Sequence, residues 1–134
     1  MPRVTFQRGG RLLYLAVPQI KTGVEGVLEN WGIRLTPYVA ASTRTLSGHE
    51  VVATAFADHV ITRSLANASV VFGYAVCLEA VTGTVSSAGA DRPKVTLLVQ
   101  TDEAGWGESA PDIFPRTFDA QNELRGPVAM AAVS

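Results

Sequence analysis

Nine consecutive residues, Val70 to Leu78, carry no charge, and most are of types that favour a β-strand. Successive side chains on a strand point to opposite faces, which places Val70, Phe72, Tyr74, Val76 and Leu78 on one side and Val71, Gly73, Ala75 and Cys77 on the other. Both sides are apolar, so this strand belongs in the middle of a sheet covered on both faces. The chain around it has to supply that sheet. From Ile33 to Thr101 it is rich in Val, Thr, Ala, Phe and Tyr, and turn-forming clusters at Ser47-Gly48, Leu65 to Ser69 and Ser86 to Pro93 divide it. This division predicts four strands, near residues 33–45, 49–63, 70–85 and 93–101.

A β-hairpin is expected ahead of them. Val4 to Arg8 and Arg11 to Val17 flank Gly9-Gly10, and two glycines supply the positive φ angles of a tight hairpin turn. Pro18 ends the second arm, since it cannot donate to a ladder. A short helix should follow: Thr22 and Glu25 have capping-box spacing, Val24, Val27, Leu28 and Trp31 share one face, and Gly32 stands at the C′ position. The fold class is therefore expected to be mainly β, an antiparallel meander of sandwich or barrel-like form with an N-terminal hairpin, one short helix and a C-terminal arm. Residues 48–64 admit a second reading. Ser47 and Glu50 also have capping-box spacing, and Glu50, Thr54, Asp58 and Thr62 recur every four residues, so a helix there would make the fold α+β.

After Thr101 the periodicity stops, yet Trp106, Phe114, Phe118, Val128 and Met130 make the remainder too apolar for a disordered tail. The expected organisation is one β-rich domain over 1–104 and an extended arm over 105–134, packed on its own core or on a neighbouring subunit. The 134 residues are the size of a single domain. Only 17% are charged, against about 25% in an ordinary soluble domain, while 47% are hydrophobic. Few charges remain to cover the surface, which points to shielding by other copies.

The charges are also unevenly spread. Arg3, Arg8, Arg11 and Lys21 occupy residues 1–21 without an acid, and Asp102, Glu103, Glu108 and Asp112 occupy 101–113 without a base. Opposite runs can meet within one subunit or between neighbours. The expected assembly contacts are Arg3, Arg8, Arg11, Trp106, Phe114, Phe118 and Met130. Net charge is −1 and neither run has the density of a nucleic-acid-binding face, so no nucleic-acid partner is expected.

Chemical motifs are lacking. There is no Gly-x-Ser-x-Gly elbow, no phosphate-binding loop and no His-x-x-x-His pair. Cys77 is the only cysteine, which excludes an internal disulfide and a thiolate cluster. No catalytic residue, metal or cofactor is expected. A ligand pocket, if the fold makes one, gathers around His59, Tyr74 and Glu79, the last interrupting an apolar strand. The longest apolar run is about half a membrane helix and Leu12 to Val17 is too short for a secretory signal, so the expected location is the cytoplasm or a virion, with no membrane partner.

A short hairpin, long strands and an apolar C-terminal arm together are similar in plan to small phage coat and tail subunits, a likeness of architecture that no motif carries. The function expected is that of a self-assembling structural subunit, such as a shell, tail or cement component of a phage or virus-like particle. The alternative is a small-ligand-binding β-barrel, a cyclase or isomerase acting on an apolar substrate.

Overall fold

A computed structural model describes residues 11–81 and 93–134 of the chain. In chain order the elements are α1 (Glu25–Asn30), β1 (Ile33–Ser42), β2 (Glu50–Ala53), β3 (Ala55–Phe56), β4 (Val70–Gly73), β5 (Val76–Ala80), β6 (Thr96–Gln100), β7 (Gly105–Glu108), β8 (Leu124–Arg125) and β9 (Ala129–Val133), with a 3-10 turn at Arg63–Leu65. Seven strands form one curled antiparallel sheet, a half-barrel, in the order β3-β6-β9-β5-β1-β7-β8. The other two, β2 and β4, form a small sheet of their own. The protein is mainly β with one short helix, as the sequence pattern implies.

The connectivity differs from a meander. The last strand, β9, inserts between β6 and β5 at the middle of the sheet, so strands adjacent in sequence rarely pair. Residues 105–134 are consequently not an extended arm: they supply β7, β8 and β9, and Val128, Ala129 and Met130 are buried. Small residues let β9 fit there. Ala129 lies opposite Leu78 and Gln100, and Ala132 opposite Leu97, so β9's alanines sit beside larger residues of β5 and β6.

β1 is the longest strand and bonds β5 with its first half and β7 with its second. Pro37 has no N–H for the ladder, and the register against β5 shifts between Leu35 and Val39. Thr36 fills the gap: its hydroxyl donates to Cys77 C=O at 2.9 Å, and its Oγ1 lies 3.2 Å from Tyr38 N–H. Ala40 then enters the core beside Val51, Cys77, Leu98, Val99 and Met130, while Val39, its neighbour on the opposite face of the strand, is also fully buried.

The segment expected as one strand over 49–63 is neither one strand nor a helix. It breaks at Thr54 into β2 and β3, which belong to different sheets, and continues in turns. The Ser47–Glu50 spacing does form a cap, but of a turn: the Glu50 carboxylate accepts from Ser47 N–H (2.7 Å), Ser47 Oγ (2.6 Å), Thr45 Oγ1 (3.0 Å) and Leu46 N–H. The 70–85 strand breaks likewise, at Tyr74 and Ala75, into β4 and β5. Tyr74 takes φ +55° at the corner. Both chains thus leave the large sheet together, and β2 and β4 pair away from it.

The C-terminal glycine stands as the sequence implies, but the helix starts later than the capping-box spacing places it: its N-cap is Val24, without a side-chain cap bond, and only the carboxylate half of the box forms, in the turn ahead of it. Glu25 accepts from Thr22 N–H at 2.7 Å and Gly23 N–H at 2.8 Å, and Gly32, at φ +84°, donates to Glu29 C=O at 2.9 Å. Its apolar stripe is only half covered, because α1 buries no residue fully. The N-terminal hairpin falls largely outside the described residues, and its second arm, 11–17, contains no strand.

Candidate functional site

The segment 11–17 forms no helix, strand or turn, and its burial alternates. Tyr14 and Ala16 are half-buried, and the Tyr14 hydroxyl lies 2.9 Å from Thr22 Oγ1. Between them Leu13 and Leu15 are 83% and 81% exposed, with Val17 also open. Among the described residues its backbone makes one hydrogen bond, from Ile20 N–H to Val17 C=O at 3.4 Å. Period-two burial is what a strand in a sheet shows. Here the leucine face lies open.

A second uncovered feature is the outer edge of β4. On the inner strand of the pair, Val52 N–H donates to Arg44 C=O at 3.2 Å and so points away from β4. Opposed residues in an antiparallel pair alternate between exchanging two hydrogen bonds and none. Val52–Val71 and Glu50–Gly73 are therefore pairs of the second kind, and Val71 and Gly73 aim N–H and C=O outward. Val71 is 53% exposed, whereas Phe72 points to the other face and packs against the core.

The far end of β4 is braced by the 109–123 loop. The Tyr74 hydroxyl donates to Asp112, which raises the tyrosine pKa above its ordinary value. Arg116 donates through Nε (3.0 Å) and Nη2 (2.6 Å) to Pro111 C=O and through Nη1 to Gly48 C=O (3.3 Å), tying the loop to the turn before β2. Its guanidinium sits 4.6 Å from the Phe114 ring centroid, and that ring stacks 4.4 Å from His49. Ile113 and Phe114 remain exposed at this corner.

The loop's other end rests on a carboxyl pair. Burial opposes charge on Glu108, but a hydrogen bond from Glu123, Ala110 N–H at 2.8 Å and Trp106 Nε1 at 3.2 Å hold it below the usual carboxylate range. Burial and the bond to Glu108 push Glu123 up. Glu123 thus keeps its proton longer, and it also accepts from Asp119 N–H at 2.6 Å. All these partners belong to the loop and β7, so the pair's evident work is to hold the loop.

The expected contact residues divide. Arg3 and Arg8 lie outside the described residues. Arg11 is exposed, Phe114 and Phe118 are partly exposed, and Trp106 and Met130 are taken up by the chain's own core, since both sit on strands of the half-barrel. The charged runs do not meet within the described chain: Asp102 pairs with Arg44 at 3.2 Å, and Arg11 and Lys21 make no ion pair among the described residues.

His59, Tyr74 and Glu79 do not form one pocket. His59 Nδ1 accepts from Ile61 N–H within a turn, Tyr74 belongs to the corner above, and Glu79 lies opposite Arg34 across β1 and β5. An open cleft of about 590 Å³ does include Glu79, with Arg34, Gln100 and Arg125, but neither His59 nor Tyr74. Cys77 is fully buried, and that burial together with the charge of Glu79 pushes its thiol up to about 12, which makes it core material and not a nucleophile.

No group of His, Cys, Asp and Glu among the described residues could hold a metal ion, and no helix among them is long and apolar enough to cross a membrane. Sequence reasoning missed Arg116 and the free β4 edge. The first carries no motif, and the second appears only once β4 is known to leave the large sheet. Compared with protein-family models, curated proteins and solved structures, the chain matches none of them.

Proposed function

We propose that the chain is a self-assembling structural subunit, whose exposed apolar surface is covered by further copies, and that a shell, tail or cement layer of a virus-like particle is the kind of body it builds. One observation carries this reading: Leu13, Leu15 and Val17 alternate along a segment whose opposite side, at Tyr14 and Ala16, is half-buried and whose own side is open. Exposed leucines occur singly on any protein, but a periodic row of them is unfavourable in water and matches an interface. The C-terminal strands no longer support the reading, because they belong to the subunit's own sheet. The ligand-barrel alternative has less behind it, since the cleft at Glu79 is open and its polar groups do not converge on a shared point.

The triple substitution Leu13→Ser, Leu15→Ser, Val17→Ser tests it by light scattering. These side chains add little to the fold of one subunit, so the variant should stay folded and run at the 14.2 kDa of one chain, while the wild type runs at a multiple. An unchanged mass for the two proteins refutes the proposal.

A further inference from the structure

We infer that residues 11–17 of one copy add as an antiparallel strand to the free edge of β4 in another copy, an inference that rests on the self-assembly reading. Each side of this junction lacks what the other offers. The β4 edge presents outward N–H and C=O groups at Val71 and Gly73, by the alternation derived from the Val52–Arg44 bond. The segment 11–17 alternates in burial as a strand does, and between Arg11 and Ala16 its backbone bonds no described residue. Strand addition satisfies both sets of groups at once.

Side chains fix the register. Setting Ala16 opposite Val71 and Tyr14 opposite Gly73 places Leu13, Leu15 and Val17 on the same face as Phe72 and Val70, the face that leads into the acceptor's core. The donor's half-buried residues, Tyr14 and Ala16, then fall beside Val71 and Gly73 on the outer face. The donor's body, against which those two residues rest, covers the exposed Val71 of the acceptor. Gly73 has open space where a side chain would sit, room for Tyr14. Pro18 ends the pairing, because it has no N–H to donate.

Charge selects the antiparallel sense. In that orientation Arg11 reaches the Tyr74 end of β4, where Asp112 is exposed and holds the tyrosine hydroxyl. A parallel strand would carry Arg11 to the Ser69 end instead. Donor and acceptor are different patches of one surface, so the contact is head-to-tail unless two copies exchange segments reciprocally.

Paired cysteines test the register. Ala16→Cys with Val71→Cys sets two cysteines directly opposite, within disulfide reach, and the fully buried Cys77 stays out of the reaction. Oxidation of the native double variant should give covalent dimers or a ladder on a non-reducing gel, at least tenfold more than either single variant. Leu15→Cys with Val71→Cys, whose side chains leave opposite faces, should give none. A wild type that is oligomeric while the Ala16–Val71 pair stays unlinked overturns this junction and leaves self-assembly standing. An intrachain link also overturns it, showing that the segment covers its own β4. A monomeric wild type overturns both.

Discussion

Met130→Ala separates a C-terminal strand that belongs to the subunit from an arm laid over a neighbour. Met130 is 8% exposed and stands on β9 between β6 and β5. Truncating a buried methionine to alanine costs about 2–5 kcal/mol, more where the surroundings cannot collapse into the space. Here the backbone is bonded on both sides, by Leu97–Gln100 pairing and by Leu78, so about 3–4 kcal/mol is expected. Against a total stability of about 5–15 kcal/mol that is a large share, and it lowers Tm by roughly 10–15 °C in a domain of this size. Urea unfolding should be followed by circular dichroism in the Leu13→Ser, Leu15→Ser, Val17→Ser background, so that dissociation does not add to the transition. The midpoint should fall with an unchanged slope. A loss within about 0.5 kcal/mol, the range of an ordinary surface substitution, would refute the placement of β9.

Two further outcomes follow from local geometry. A Cβ at Gly126 would fall on the Gly105 carbonyl, within 2.7 Å of its carbon, so Gly126→Ala should unfold the β7–β8 end in thermal melts; Gly26→Ala, on the open side of α1 with nothing within 4 Å, should instead stabilise by about 0.5–1 kcal/mol. Glu50 is held down to about 2 from 4.5 by the Ser47 hydroxyl and N–H, with Leu46 and Thr45 adding to them. A depressed carboxylate contributes stability that is present above its unfolded pKa and lost as pH falls through the folded one. The gap between wild type and Glu50→Gln should therefore be full above pH 4.5 and close towards pH 2, and a gap independent of pH contradicts this.

Local signals in the sequence carried well. The glycine end of α1, the start of β1 at Ile33 and the β6 strand were legible because each depends on residues a few positions apart. Capping-box spacing at Ser47–Glu50 was also a true signal, but it marks a carboxylate closing a turn, and spacing alone does not distinguish the two. The break at Thr54 was hidden, since either side reads as strand and no proline or glycine marks it, and at Tyr74 a single glycine, Gly73, stood inside an otherwise unbroken apolar run. β7 and β9 were missed for a physical reason: Gly105-Trp106-Gly107 and Ala129 to Ala132 are poor strand formers by themselves. Gly107 is required because a Cβ there would press on Tyr38 and Leu124 at 3.0 Å, and the alanines fit between larger neighbours. Partner strands far away in sequence dictate those choices, so a pass along the chain reads them as irregular. The excess of apolar over charged residues was legible as well, though it pointed to the C-terminal aromatics when the open row lies at Leu13, Leu15 and Val17.

Whether other copies cover that row is read from sedimentation velocity of the full chain across a wide range of concentration. Boundaries heavier than one 14.2 kDa chain are expected, growing with concentration and collapsing to a single slow species when Leu13, Leu15 and Val17 become serine. A wild type that sediments as one chain at every concentration contradicts coverage by other copies.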